Sequence, residues 1–194
     1  MTARVAIVFL LPFLLAACAY NPPYDENSPD TKVPVGSTLT LTQAITIPAG
    51  RRSVYIVRGK IVPFSAVDIY DPYCQFRVRN IGAHDQIVHP GAFRVRHTKQ
   101  WDEYSARPSD LRLADSGIHF GVGIGIGGAM NDAGPSIISQ ATILKLESEK
   151  QPQVDDMVCQ HWGDQGQTPH LTIHQIRHSL APLFLLRTTP QPSP

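Results

Sequence analysis

The side chains of this chain that could hold a metal ion lie near its carboxyl end. Of the eight histidines, His174 and His178 are four residues apart, a spacing that places two imidazoles on one face of a helix. Zinc would need at least a third ligand, and this stretch has no acidic residue of the H-E-x-x-H type. These two histidines are metal candidates without a third ligand, the alternative being ordinary solvated histidines, and we expect no cofactor.

A repeated pentapeptide carries the second group of chemically useful side chains. It reads FRVRN at Phe76–Asn80 and FRVRH at Phe93–His97. Strand alternation puts Phe and Val on one face of each segment and two arginines on the other. If the two segments pair, their arginines form one exposed patch that consists of Arg77, Arg79, Arg94 and Arg96. Such a patch would bind an anionic envelope component such as lipid phosphate or a carboxylate, the alternative being a solvated face.

No common catalytic motif is present. The sequence has neither a G-x-S-x-G elbow nor an S-x-x-K pair, and no cysteine has the surroundings of a reactive thiol. We therefore predict that the protein is not an enzyme and keep a cryptic hydrolase as a third hypothesis.

A glycine-rich segment, FGVGIGIGGAM, runs from Phe120 to Met130 and contains a formal G-x-G-x-x-G. A dinucleotide-binding site would need a helix after the glycines, but a turn sequence follows at Asn131–Pro135. Residues Gly121–Gly128 could instead form a bare strand, a mobile loop, or a segment that covers an apolar ligand. The last possibility is the basis of an alternative function, a carrier or sensor of an apolar ligand.

The amino-terminal segment has the layout of a secretory signal peptide. Met1–Ala17 contains one basic residue followed by an apolar run too short to span a bilayer as a helix. Its end, LAAC, resembles the lipobox of bacterial lipoproteins. The resemblance implies cleavage before Cys18 and lipid attachment to the Cys18 sulfur and amino terminus. Because Ala19 follows rather than aspartate, it further implies an outer-membrane location, and we expect the domain to face the periplasm.

Two cysteines remain once Cys18 is assigned to lipid. An exported chain meets an oxidising compartment, and Cys74 and Cys159 allow a single pairing. A disulfide closing a loop of this length would stabilise the fold by about 4 kcal/mol. Two buried thiols or a metal-binding pair are the alternatives.

Composition sets the domain organisation. Without residues 1–17, acidic and basic residues are equal in number, so no global charge favours nucleic acid. We predict a signal peptide at 1–17, a lipidated cysteine with a flexible Pro-rich tether at 18–37, one β-rich domain at 38–187, and a disordered tail at 188–194.

Between the tether and the tail, apolar and polar residues mostly alternate with a period of two. The segments with this pattern are TLTLTQAITI, SVYIVRG, CQFRVRN, AFRVRH, SIISQATILKL and DDMVCQHW. Short strands separated by turn residues predict a mainly β fold, either an antiparallel sandwich or a partly closed barrel.

One helix is predicted near the carboxyl end. Thr172 and Gln175 have the spacing of a capping box, and Pro182 ends the pattern. The apolar face of this helix consists of Ile173, Ile176 and Leu180. The following LFLLR would return as a last strand or extend the apolar docking of the helix.

The segments around the two cysteines, YDPYCQFRVRN and QPQVDDMVCQHWGD, are similar to those of a group of uncharacterised proteobacterial lipoproteins of this length. The resemblance supports the lipoprotein assignment and implies a structural disulfide, but it carries no activity. We therefore expect a non-enzymatic, lipid-anchored accessory or binding subunit whose partners are the membrane and an envelope protein complex or anionic envelope component.

Overall fold

A computed structural model describes residues 24–105 and 137–189, in which the chain forms ten strands and one α-helix. The strands are β1 Thr38–Leu41, β2 Ile45–Ile47, β3 Ser53–Val57, β4 Lys60–Val62, β5 Tyr73–Val78, β6 Gln86–Val88, β7 Gly91–Ser105, β8 Ile137–Glu147, β9 Val154–Asp164 and β10 Phe184–Arg187. The helix α1 spans Ile173–Leu180. A short 3-10 helix lies at Phe64–Ala66.

Eight strands form one antiparallel sheet in the order β10-β1-β7-β8-β9-β5-β3-β4, and β2 pairs with β6. The large sheet curls into a half-barrel with the single helix at its carboxyl end. The predicted mainly β class with one carboxyl-terminal helix is confirmed. Of the two architectures predicted, the partly closed barrel describes the sheet.

Aromatic contacts explain why the sheet curls. Phe184 lies on the edge strand β10 and Phe76 five positions away on β5, yet their ring centroids are 5.0 Å apart. Phe93 on β7 meets Phe76 edge-on at 6.1 Å. All three are fully buried in one cluster that draws on both halves of the sheet. Burying apolar residues from strands of both halves of the sheet in this one cluster requires the sheet to bend around them.

The helix begins and ends as predicted. The Gln175 N–H donates to Thr172 Oγ1 at 3.1 Å, and the Thr172 N–H donates to Gln175 Oε1 at 2.9 Å, which completes the capping box. Ile173, Ile176 and Leu180 are buried against the core. The chain then returns as strand β10, which pairs with β1.

A hairpin turn fixes the position of this helix. Arg58 and Gly59 join β3 to β4 with positive φ angles of 50° and 70°, the geometry of a type I′ turn. The Gly59 N–H donates to Ser179 O at 2.8 Å, and a Cβ at Gly59 would lie 2.1 Å from Ala181 O. Only glycine allows the turn to approach the end of the helix this closely.

The disulfide between Cys74 and Cys159 is present. The two cysteines lie directly opposite each other on β5 and β9, and both are fully buried in the core. Cys74 shares the inward face with Phe76 and Val78, as strand alternation predicts.

The amino-terminal part of the described chain is docked on the domain, in contrast to the flexible tether that we predicted for 18–37. Val33 is buried, and its carbonyl accepts a hydrogen bond of 2.7 Å from Thr98 Oγ1. Gln100 Nε2 donates to Pro29 O at 3.1 Å. Side chains on the polar inward face of β7 donate hydrogen bonds to the carbonyls of this segment, and these bonds hold the segment on the domain.

The first two residues of the predicted tail at 188–194 are also hydrogen-bonded to other parts of the chain. Thr188 Oγ1 donates to Glu26 Oε1 at 2.7 Å, and the Thr189 N–H donates to Ser37 Oγ at 3.3 Å. Residues 190–194 lie outside the described chain, as do residues 1–23 with Cys18.

Candidate functional site

The long hairpin of β7 and β8 extends the concave face of the sheet beyond the apolar core. Strand alternation turns Thr98, Gln100 and Asp102 of β7 inward. Gln100 lies opposite Thr142 of β8, and Asp102 lies opposite Gln140. The concave face therefore changes from apolar to polar along the hairpin. This is an unusual place for polar residues, because inward positions of a curled sheet are normally filled by apolar side chains.

A cavity of about 460 Å³ opens at this polar end. Its walls are Asp102, Ile138 and Gln140 on one side and residues 165–169 on the other. Residues 165–169 form a loop that is folded tightly against β9, because the N–H groups of Gln167 and Thr168 both donate to Asp164 O at 3.2 Å. A Cβ at Gly163 would lie 2.0 Å from Thr168 Oγ1, so glycine is required for the loop to pack here.

His170 holds the carboxylate of the cavity in place. Its Nε2 lies 3.0 Å from Asp102 Oδ1, and its side chain is 19% exposed against 44% for Asp102. Burial lowers the pKa of His170, and the nearby charges of His161 and Lys32 lower it further, although Asp102 opposes this shift. When the ring is neutral, Nε2 must carry the proton, because the Asp102 carboxylate can only accept, and Nδ1 is then an acceptor.

Three buried polar atoms near the cavity have no hydrogen-bond partner among the described residues. They are Gln140 Oε1, Thr142 Oγ1 and His170 Nδ1. Gln140 is 8% exposed and Thr142 2% exposed. A buried polar atom without a partner costs about 1–3 kcal/mol, so a partner from outside the described residues would stabilise each of these groups.

The wall of the cavity is polar and carries one negative charge. Asp102 is the one charged residue in the wall that the structure describes, and Gln165, Gln167 and Thr168 add groups that both donate and accept hydrogen bonds. His161 turns its Nε2 to Pro169 O at 2.8 Å, so that ring braces the loop. An Asp–His pair is also the acid–base half of a hydrolytic site. Within the described chain, however, no hydroxyl or thiol is hydrogen-bonded to His170 Nδ1 as a nucleophile would be.

Comparisons with known protein families, curated proteins and solved structures gave no match.

The four-arginine patch that we predicted is not formed, because the strands that carry the two pentapeptides do not pair. β5 and β7 are separated in the sheet by β8 and β9. Arg77 instead pairs with Asp156, and Arg79 Nε donates to Pro152 O at 2.7 Å. Arg94 lies 3.8 Å from Glu147, and Arg96 is exposed at a bulge of β7. The prediction of a shared patch was wrong because each strand found a different neighbour.

Arg77 belongs to a charged network on the face of the sheet opposite the core. Its Nε and Nη2 donate to the two oxygens of Asp156 at 2.5 and 2.8 Å, and Lys145 Nζ donates to Asp156 at 2.6 Å. Asp155 accepts from Lys145 at 3.2 Å and from Arg52 at 2.7 Å. Burial raises the pKa of Asp155, but Lys145 and Arg52 outweigh it, so that the pKa is lowered. These cations have protein partners already, so this network is structural.

His174 and His178 of the helix line a second, smaller cavity of about 300 Å³. Arg58 and Asp71 line the same cavity. Among the described residues, no group of three or more His, Cys, Asp or Glu side chains is arranged to hold a metal ion. The two histidines share a face of the helix, as the sequence predicts.

The glycine-rich segment Gly121–Gly128 lies outside the described residues, so its predicted roles stay predictions. In the part of the chain that is described, no helix is long and apolar enough to cross a membrane.

Sequence reasoning missed Asp102 and Gln140. Their alternation within β7 and β8 is indistinguishable from that of a solvated strand face. The available signal was that both strands of one hairpin carry polar residues in phase with the buried Leu144 and Leu146.

Proposed function

We propose that this protein is a lipid-anchored binding subunit of the bacterial cell envelope, held on the outer membrane with its domain facing the periplasm. In this proposal the domain binds without catalysing a reaction, and the concave cavity beside Asp102 is its binding site. The observation that carries the proposal is the cavity of about 460 Å³ whose one charged lining residue among those described is Asp102, a carboxylate that His170 orients. A ligand that donated to this carboxylate would form charge-assisted hydrogen bonds.

Two features support the location. The LAAC sequence at 15–18 has the lipobox pattern, and the Cys74–Cys159 disulfide suits an oxidising compartment. Several acyl chains together would anchor the protein stably, whereas one chain gives only marginal binding.

The alternative is a cryptic hydrolase that uses the Asp102–His170 pair. Such an enzyme would need a nucleophile, or a water activated at His170 Nδ1. The fate of the bound ligand distinguishes the two proposals. A hydrolase converts its ligand, whereas a binding subunit releases it unchanged.

Photocrosslinking in intact cells tests the proposed function. A photoreactive benzoylphenylalanine replaces the exposed Gln167 at the cavity, and in a control protein it replaces the exposed Glu149 on a different loop. We expect an adduct of one envelope component from position 167 that is missing from position 149 and weakened by Asp102→Asn. Identical adducts from both positions, or none from position 167, would refute a binding site in this cavity.

A further inference from the structure

The outward face of β7 carries a run of basic side chains. Phe93 and Val95 are fully buried, so strand alternation turns Arg94 away from the core. Arg96 is exposed at the bulge that follows, and Lys99 is exposed on the part of β7 beyond the bulge. At about 3.4 Å per residue, these cations follow one another along roughly 17 Å of the strand.

The strand order adds a fourth cation to this face. Thr38 of β1 lies opposite Arg187 of β10 on one side and opposite Arg94 on the other. Leu186 is buried in the core, so Arg187 points outward and is exposed. Two strand spacings separate Arg187 from Arg94, which is about 10 Å. We call this set the basic stripe, and its members are Arg94, Arg96, Lys99 and Arg187.

Most of the positive charge of the basic stripe has no acidic partner. Among the described residues, no ion pair is formed by three of its members, namely Arg96, Lys99 and Arg187. Arg94 lies 3.8 Å from Glu147, but the two side chains are 68% and 49% exposed, and a pair this exposed contributes little. Glu103 lies at the far end of β7, beyond the stripe. The stripe therefore presents a positive field to an anionic partner.

Exposed apolar side chains accompany the basic stripe. Trp101 is 48% exposed, and Lys99 Nζ lies 3.9 Å from the centroid of a ring of Trp101. Leu185 of β10 and Val35, which precedes β1, are exposed as well. Cations beside aromatic and aliphatic side chains are typical of surfaces that bind at a membrane–water interface, where tryptophan lies at the level of the lipid headgroups.

The amino-terminal segment enters the domain beside the basic stripe. Glu26 accepts a hydrogen bond from Thr188, which directly follows Arg187 in the chain. Tyr24 donates to the same Glu26 carboxylate. If Cys18 carries lipid, the bilayer surface lies within about 20 Å of Tyr24. The basic stripe is then close enough to reach the lipid.

We propose that the basic stripe contacts the surface of a bilayer that contains anionic phospholipid. This inference relies on the lipid anchor of the proposed function. The cations lie over the lipid phosphates, and Trp101 reaches the headgroup layer. The contact determines which side of the domain faces the membrane, whereas an anchor alone leaves the domain free to turn. An acidic protein would also attract the stripe, but the anchor favours lipid because it holds the bilayer within reach.

Fluorescence quenching of Trp101 in the full-length, lipidated protein tests the proposal. The chain has two tryptophans, and Trp162 is only 4% exposed, so a quencher on the lipid headgroups acts mainly on Trp101. The variant Trp101→Phe identifies the contribution of Trp101. The protein is reconstituted in phosphatidylcholine vesicles with and without phosphatidylglycerol. Both kinds of vesicle contain the same fraction of a lipid with a nitroxide on its headgroup.

We expect strong quenching of Trp101 in the vesicles that contain phosphatidylglycerol and little in phosphatidylcholine alone. Added salt should reduce this difference, because it screens the attraction. Each cation near an anionic membrane strengthens binding roughly fivefold, so the double variant Arg96→Gln/Lys99→Gln should shift the equilibrium away from contact about twentyfold. Most of the quenching should then be lost, whereas Arg96→Lys keeps the charge and should keep the quenching.

The matched control is the double variant Arg58→Gln/Lys60→Gln. It removes two exposed cations from the β3–β4 hairpin at the opposite edge of the sheet, and it should leave the quenching unchanged. Urea unfolding shows whether each variant is folded. Incorporation of a labelled fatty acid shows that the reconstituted protein is anchored, so a failure of the stripe is distinct from a failure of the anchor.

Equal quenching in both kinds of vesicle, or none in either, would overturn the proposal. An equal loss of quenching in the control and in Arg96→Gln/Lys99→Gln would also overturn it. A change of Trp101 emission with polyglutamate but not with the phosphatidylglycerol vesicles would identify an acidic protein, and not lipid, as the partner of the stripe. The proposed binding function fails separately, if position 167 forms no specific crosslink in cells.

Discussion

Asp156 shows at the level of single residues why the buried charges of this sheet are tolerated. Its side chain is fully buried, and removing a carboxylate from water costs several kcal/mol. Arg77 approaches it with two parallel hydrogen bonds and Lys145 adds a third, so every charge is opposed within one strand spacing. Such an arrangement is stable only while all of its members are present.

Asp156→Asn should therefore lower the free energy of unfolding by about 3 kcal/mol, because it leaves Arg77 without its counter-charge in a largely buried site. Asp155→Asn is the matched control. Asp155 pairs with the half-exposed Arg52 and shares Lys145 with Asp156, so Asp155→Asn should lower the free energy of unfolding by about 1 kcal/mol. Urea unfolding monitored by tryptophan fluorescence measures both. If the two variants lose equal stability, burial of Asp156 is not what makes it important.

At the level of elements, alternation and capping predicted most of the strands and the helix. The Thr172–Gln175 capping box and the inward Cys74, Phe76 and Val78 were readable because each depends on neighbours within a few residues. The order of the strands in the sheet could not be predicted from the sequence. Two nearly identical pentapeptides lie on strands separated by two others, because pairing is set by long-range burial in one core and not by local period.

The polar cavity could not be predicted from the sequence for a related reason. A strand with alternate polar residues looks the same whether those residues face water or a concave interior. Only the register of β7 against β8 places Asp102 opposite Gln140 on the inward face. The docked segment from Tyr24 was missed because its Pro-rich composition is typical of linkers, while its contacts come from distant residues such as Arg177.

The Cys74–Cys159 disulfide joins neighbouring strands across 85 residues of sequence. Changing both cysteines to serine should lower the free energy of unfolding by roughly 4 kcal/mol, mainly because the unfolded chain gains freedom. Non-reducing mass spectrometry should find one peptide that links the two cysteines, and denaturant unfolding gives the stability. Alkylation of both thiols without prior reduction would contradict the disulfide. A wild-type protein treated with reductant should match the double variant.

The docking of the amino-terminal segment depends on Glu26, which binds Arg177 on the helix and Thr188 after β10. The Arg177 hydrogen bonds lower the pKa of Glu26 from 4.5 to about 2. Because the folded pKa is below the unfolded one, this contribution to stability is fully present above about pH 4.5 and is lost as the pH falls through about 2.

Glu26→Gln should therefore cost about 2 kcal/mol at pH 7, and the difference from wild type should shrink as the pH falls from 4.5 toward 2. Urea unfolding across this pH range measures the difference. Asp25→Asn is the control, because among the described residues the Asp25 carboxylate accepts a hydrogen bond only from the nearby Asn27 N–H, and the substitution should change stability little. A difference between wild type and Glu26→Gln that does not depend on pH would show that the ionised carboxylate is not responsible.

For the whole molecule, the docked segment would determine how the domain sits on the membrane. If Cys18 carries lipid, the six Cα–Cα steps from Cys18 to Tyr24 reach at most about 20 Å when fully extended. Since the chain is bound to the domain from Tyr24 onward, the anchor would leave the domain close to the bilayer, with less freedom than a tether ending at residue 37 would give. A cavity that binds an envelope component gains from this restriction, because an anchored ligand is presented at high effective concentration.

The anchor itself is tested through the thiol of Cys18. Lipid attachment needs that sulfur as the acceptor, so Cys18→Ser should abolish the incorporation of an alkyne-labelled fatty acid and either release the protein from membranes or leave it as an unprocessed precursor. Cys74→Ser keeps the Cys18 thiol and should still take up label, which separates lipid attachment from any effect of a weakened fold. Labelling followed by gel fluorescence, with mass spectrometry of the mature amino terminus, measures both. A wild-type protein that is processed but never labelled would refute the lipid anchor, and the close approach to the bilayer would then lose its basis.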